Sequence, residues 1–241
     1  MRLDESTWPE VKARLETGAN LKAVLILGST EQHGHHLPLG TDTMIGMEAW
    51  DRVEKVRDDV LLLPPIALGC SEVWRSYPGT LCLRPSTLIA LVQDVASSLE
   101  RHGIGILILQ AAHGGNSVVA HSAAKEYAMG GGQTRIFVLD PHVGVPSGIC
   151  EGRRMGHACE VETSMGLVAF PALVKMDLAR AGVVGAWTSP RDMTTDEYRT
   201  NALGVNGEPQ HASVQKGEAI LREMCRWRCE WLDTIQSQTA V

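Results

Sequence analysis

Aromatic side chains are scarce in this sequence: 5% of the 241 residues, with two Phe and three Tyr against six Trp. The core must therefore be mainly aliphatic, and each Trp needs a place in core, interface or pocket. Long apolar runs are absent. None approaches the roughly 18 residues of a membrane span, which excludes a transmembrane helix. A basic run is absent too. With 22 Lys and Arg against 28 Asp and Glu, the net charge is −6, a poor electrostatic basis for binding nucleic acid. The first 16 residues, MRLDESTWPEVKARLE, lack the apolar centre of a signal peptide, so a cytoplasmic protein is expected. There is no disulfide framework. Cys70, Cys82, Cys150, Cys159, Cys225 and Cys229 are scattered through a chain large enough to bury a core, and read as free thiols. Cys225 and Cys229 share a helical face, but no second Cys or His pair completes a metal site.

Apolar residues make up 44% and charged residues 21%, as in ordinary globular proteins. No linker, repeat or low-complexity segment divides the chain, and residues 1–241 read as one domain. Thr7 and Glu10 have capping-box spacing, which predicts a helix running to Gly18. Aliphatic runs predict strands over 23–27, 60–63, 104–109 and 136–139. Helical spacing predicts helices over 43–53, from Leu88 to Gly103, over 117–129 and over 212–234. This alternation implies an α/β fold with a mainly parallel sheet covered on both faces. In such sheets ligands gather beyond the carboxyl ends of strands.

Three polar clusters are placed to meet there. Residues 28–43, GSTEQHGHHLPLGTDT, follow the first strand and contain Glu31, Asp42 and three His among glycines that let the loop turn tightly. Carboxylate plus imidazole is the ligand set of Zn, Mn or Fe(II). Residues 111–116, AAHGGN, follow the third strand; His113 can aim inward, and Asn116 can cap the next helix or line a pocket. Residues 157–164, HACEVETS, carry His157, Glu160 and Glu162. In a strand the two acids would share a face; in a helix they would diverge. Together Glu31, His33, Asp42, His113 and Glu162 suit two divalent metal ions sharing a bridging carboxylate. Such a pair yields hydroxide near pH 7 and polarises a carbonyl, which is hydrolytic chemistry.

These three motifs, with Tyr77–Leu81, the 83–85 segment and the late 204–207 and 216–218 segments, resemble the signatures of the creatininase (creatinine amidohydrolase) family over about residues 20–220. The resemblance implies a three-layer α/β/α metal-dependent hydrolase, often hexameric, acting on a small molecule. Glu31 and His113 would ligate one metal and His33 the other, with Asp42 bridging, and His157 would handle substrate or a proton. Zinc comes first, with Mn or Fe(II) open. Three departures bear on specificity. Gly115 stands where creatininase proper has a Glu, so Glu162 is the candidate for the missing ligand, with Glu160 in reserve. No Trp lies between Trp74 and Trp187, although creatininase proper places Trp around its substrate. His35 and Ala111-Ala112 also differ from the usual residues. These point away from creatinine and towards another cyclic amide, a formamide or a related compound. The wider family also holds a peptidase and hydrolases of cyclic or sugar-derived compounds.

In the expected mechanism a metal-bridging hydroxide attacks the carbonyl, and Glu162 or His157 passes the proton to the leaving nitrogen. Trp74, Tyr77 and Arg84 are candidate pocket residues, each with a structural alternative. Two rivals remain. Residues 148–152, GICEG, have the form of a nucleophile elbow around Cys150, which needs a strand running directly into it. The chain could also bind a metal or ligand without catalysis. His102, His121, His142 and His211 belong to no motif.

Overall fold

The structure is a computed structural model that describes residues 1–18, 20–151, 156–182, 196–199 and 201–235. Trp187 and Gly152 lie outside the described residues. Among the described residues four strands form one sheet in the order β2-β1-β3-β4, every pair parallel: β1 Lys22–Leu27, β2 Val60–Leu62, β3 Ile106–Ala111 and β4 Arg135–Leu139. Among the described residues six α-helices accompany them: α1 Trp8–Glu16, α2 Thr41–Glu54, α3 Pro85–Arg101, α4 Gly114–Met129, α5 Glu160–Ala169 and α6 Val214–Thr234.

β1 and β3 are buried at every position. Successive side chains of a strand point to opposite faces, so a strand covered on both sides is apolar along most of its length, and its polar exceptions, Lys22 and Gln110, are each hydrogen-bonded. Leu25 and Leu27 pack with Leu88, Val92 and Ala96 of α3 and Ala120 and Ala123 of α4. Val24 and Ile26 face the other way, onto Trp50 and Val53 of α2 and Leu232 of α6. Full burial of a side chain such as Leu25 stabilises the fold by roughly 2 kcal/mol before ordering costs. The two helical layers with the sheet between them make the three-layer α/β/α arrangement. Behind α2, a further cluster joins Ile45 and Ala49 to Val161 and Met165 of α5 and to Ile220 and Met224 of α6.

Element edges differ from the sequence expectation in instructive places. α1 starts as expected, with Glu10 accepting from the backbone N–H of Thr7 at 2.7 Å. β3 starts at Ile106, two residues late, because Ile106 is the residue in register with Lys22 of β1. β2 stops at Leu62, one residue early. α4 begins at Gly114 with His113 at its N-cap. Asn116 therefore lies inside the helix and does not cap it. Its side chain is taken by the Leu27 and Gly28 carbonyls at 3.0 and 2.9 Å and by the Cys70 N–H at 2.9 Å. No strand leads into Cys150; residues 140–151 are turns and irregular backbone, and burial raises the thiol pKa, so the elbow reading is corrected. Among the described residues no helix is long and apolar enough to cross a membrane.

Candidate metal centre

All four strands point their carboxyl ends the same way, so the loops after β1, β3 and β4 meet along one edge. The loop after β1 folds back on itself, with the Glu31 N–H bonded to the Leu39 carbonyl at 2.9 Å. That hairpin buries Glu31 and His33 completely, and α2 brings in Asp42 from its first turn. His113 arrives from the end of β3. The third motif is helical: α5 starts at Glu160, and Glu160 and Glu162 diverge. Glu160 turns away to Lys216, 2.6 Å from its Nζ, so it leaves the ligand set it was held in reserve for. Glu162 joins the cluster. His157 is set by paired backbone bonds to Asn206, at 3.1 and 2.8 Å, and by the positive φ of Ala158, 51°, a conformation non-glycine residues rarely adopt.

The hydrogen bonds fix what each imidazole can offer. His33 Nδ1 lies 3.2 Å from the Glu31 carbonyl, His113 Nε2 3.0 Å from the Cys70 carbonyl, and His157 Nε2 2.7 Å from the Gln32 carbonyl. A carbonyl only accepts, so each of these nitrogens carries the proton. In the neutral rings the opposite nitrogens are bare, and they face carboxylates. His33 Nε2 is 3.1 Å from Asp42 Oδ1. His113 Nδ1 is 3.1 Å from Glu31 Oε1 and 3.4 Å from Asp42 Oδ2. His157 Nδ1 is 3.7 Å from Glu31 Oε1. Both Glu31 oxygens and Glu162 Oε2 are buried without a hydrogen-bond partner. Acceptors packed against acceptors repel unless positive charge lies among them.

Without an ion, protons meet that need. Burial disfavours charge on His33, but Asp42, Glu162 and Glu31 outweigh it and push its pKa up to about 9. His113 is driven well above its ordinary value against the same burial, chiefly by Glu31 and Asp42. Asp42 stays well below the usual carboxylate range although buried, held there by His33 and His113. Burial pushes the Glu162 carboxyl up to about 7, against the pull of His33. Burial and the neighbouring His33 depress His157 to about 4.

Among the described residues three sets of ligand atoms lie within 4.8 Å of one another: Glu31, Asp42 and His113; His33, Asp42 and Glu162; and Glu31, His33 and His157. The first two sets share Asp42, whose two oxygens face the two different imidazoles. Ser29 Oγ donates to Asp42 Oδ2 at 2.5 Å and steadies it. The residues therefore fit a pair of divalent ions: hard oxygen and borderline nitrogen donors, buried, with unpaired oxygens and with ring orientations held by second hydrogen bonds.

A cavity of about 420 Å³ opens onto this centre, lined among others by Asp42, Trp74, His113, His142, His157 and Glu162. Trp74 is 1% exposed and stacks on His157, with ring centroids 4.4 Å apart. Three other candidate pocket residues lie outside the lining. Tyr77 gives its hydroxyl to the Asn201 carbonyl and meets Trp74 edge-on at 5.8 Å. Arg84 is exposed at the N-cap of α3. Asn116 is fully buried, tying β1 to the segment at Cys70. The lining adds Glu72 and His142, which the sequence reading passed over. For His142 the signal was present, a His just past the end of a strand, as for His113. The Cys70 and Gln32 carbonyls carried no signal, because every residue has one. Cys225 and Cys229 join no metal-ligating group among the described residues.

The family profile for creatininase, creatinine amidohydrolase, matches residues 4–232. Creatinine amidohydrolase of Pseudomonas putida is 32% identical over 241 residues, covering 92% of this chain and 91% of the relative. The mycofactocin precursor peptide peptidase of Mycolicibacterium smegmatis is 31% identical over 205 residues, covering 82% and 78%. A solved creatininase with a glutamate-to-glutamine substitution, of Zn–Zn type, superposes with a TM-score of 0.83 at 28% identity, covering 96% of each chain. The chain belongs to the creatininase family of hydrolases.

Proposed function

We propose that this chain is a two-metal hydrolase that cleaves the C–N bond of a small cyclic amide, a formamide or a related compound, not a peptide bond. One observation carries the reading: three bare imidazole nitrogens converge on three buried carboxylates, two of which hold oxygens with no hydrogen-bond partner. Glu31 and His113 would hold one ion, His33 and Glu162 the second, and Asp42 both. The donor set suits zinc first, as in the Zn–Zn relative, with Mn or Fe(II) compatible. Bound there, the ions would supply an acidified water and Lewis-acid polarisation of the scissile carbonyl.

The chain's own side chains do the rest. His157 keeps its Nε2 proton on the Gln32 carbonyl, so Nδ1 is the atom free to take a proton and pass it to the leaving nitrogen. The Trp74 ring closes one wall and keeps His157 in line. With one Glu162 oxygen as ligand, the other can orient the attacking water. The apolar residues Val118 and Met129, 74% and 88% exposed on α4, support the accompanying reading of a homo-oligomer, a hexamer as the family resemblance implies. A single catalytic domain acting in the cytoplasm completes the picture.

The test is metal analysis with activity on a panel of lactams, cyclic ureas, formamides, lactones and short peptides. Two equivalents of metal per chain, loss of turnover with a chelator and recovery on adding Zn or Mn are expected. Full turnover by metal-free protein would sink the reading. Turnover confined to peptides would instead place the chain with the peptidase relative.

A further inference from the structure

Two of the three histidines lining the cavity are locked to backbone carbonyls, His113 to Cys70 and His157 to Gln32. The third, His142, is not. Its Nδ1 is buried without a partner, and its side chain makes no hydrogen bond among the described residues. A buried polar atom left unpaired costs about as much as a lost hydrogen bond, so such an atom in a cavity wall marks a place where a ligand or ordered water belongs.

The backbone around His142 is held firmly. Gln110 Nε2 reaches the Leu139 and Asp140 carbonyls, each at 3.3 Å, and fixes the chain as it leaves β4. Pro141 follows, and the Val145 N–H closes the turn onto the His142 carbonyl at 3.0 Å. The ring thus stands on the same carboxyl edge of the sheet as the metal-ligand loops, on a segment braced from inside. Burial lowers its pKa, with Asp42 acting against this, so the ring is neutral near pH 7. A neutral imidazole has one donor and one acceptor nitrogen, which point apart, so one of them can meet either the N–H or the carbonyl of an amide.

We propose that His142 is a substrate-binding residue of this cavity, whose free imidazole hydrogen-bonds a polar amide group of the substrate and so selects for it. The proposal rests on the two-metal reading of the cavity. A hydrocarbon wall at this position would accept a flat apolar ring. An unpaired imidazole instead favours a substrate with a hydrogen-bonding edge, because an apolar ligand would leave the ring nitrogens unsatisfied.

Acetohydroxamate is a suitable probe: a small amide-like molecule that chelates paired divalent ions. Its affinity for the zinc-loaded protein is measured by calorimetry, alongside metal content and melting temperature. The His142→Phe variant keeps the ring volume and removes both nitrogens. It should keep two metals and bind the probe at least tenfold more weakly. His142→Asn and His142→Gln place a polar atom near Nδ1 and Nε2 respectively, and at least one should restore affinity to within about threefold. Equal affinity of His142→Phe and the parent protein would overturn the proposal. So would loss of metal from His142→Phe, which would make His142 part of the metal centre, or equal loss in all three variants, which would make it wall packing. No binding of the probe by the zinc-loaded parent would instead overturn the two-metal reading, and this proposal with it.

Discussion

His113 Nδ1 lies 3.1 Å from Glu31 Oε1, and in the neutral ring neither atom has a proton to give, because the ring's proton is on Nε2, facing the Cys70 carbonyl. The contact is tolerable only with positive charge between the two atoms. Replacing Glu31 by Gln puts an amide N–H where the bare oxygen stood. In the metal-free protein His113 is protonated, so Glu31→Gln trades a charge-assisted hydrogen bond for a neutral one and should cost about 1 kcal/mol. The same variant should lose about one metal per chain and most of its turnover. Chelated melting curves and elemental analysis check both. Retention of two metals with parental turnover would contradict the ligand role.

The protein should respond to pH differently with and without metal. The folded-state pKa of His33 is raised to about 9, so its contribution to stability is complete below its unfolded value near 6.5 and is lost as pH rises through 9. Glu162, a carboxyl raised to about 7, acts in the same direction over a lower range, favouring the fold below about 4.5 and ceasing to do so above 7. The melting temperature of chelated protein should therefore fall from pH 6.5 to 9. Metal-loaded protein, whose carboxylates face cations at every pH in that range, should hold steady.

Gly115 is required by packing. A Cβ there would lie 2.2 Å from the Cys70 carbonyl and 2.5 Å from His113 Nε2. Gly115→Ala must displace the carbonyl that anchors His113, and should weaken metal binding roughly 10- to 100-fold. Its overpacking should cost about 1–3 kcal/mol. Gly114→Ala is the control, since a Cβ at Gly114 meets nothing within 4 Å. A metal titration of both variants separates the site-specific effect from a general one.

His157→Gln should lower kcat by roughly 10²- to 10⁴-fold, the usual contribution of a positioned proton carrier. Its metal content should remain near two per chain. A variant that lost metal in proportion to activity would make His157 a ligand instead, through its set with Glu31 and His33.

Away from the site, the Lys22 ammonium at the start of β1 is 5% exposed and lies 2.6 Å from Asp59 Oδ2. Removing the acid leaves a buried cation unpaired. Asp59→Ala should cost roughly 3 kcal/mol in urea denaturation, with metal content unchanged.

Much of this molecule is legible from residue order. The apolar runs of β1 (residues 23–27) and β3 (residues 106–109) can satisfy their side chains only between two helical layers. The clustering of Glu31, His33 and Asp42 in one loop, with His113 at the end of another strand, points to a candidate metal site through chemistry that is local to each motif. Tertiary structure alone decided the rest. Which of Glu160 and Glu162 faces the candidate site depended on α5 being a helix, which a two-residue spacing leaves open. Asn116 and Tyr77 became structural ties because their partners, the Gly28 and Asn201 carbonyls, lie 88 and 124 residues away in the chain. The state of the imidazoles was set by the backbone carbonyls of Glu31, Cys70 and Gln32, groups that no side-chain pattern records. Ligand type is a property of the residue, and the sequence states it. Ligand direction is a property of hydrogen bonds between distant segments, and only the folded chain supplies it.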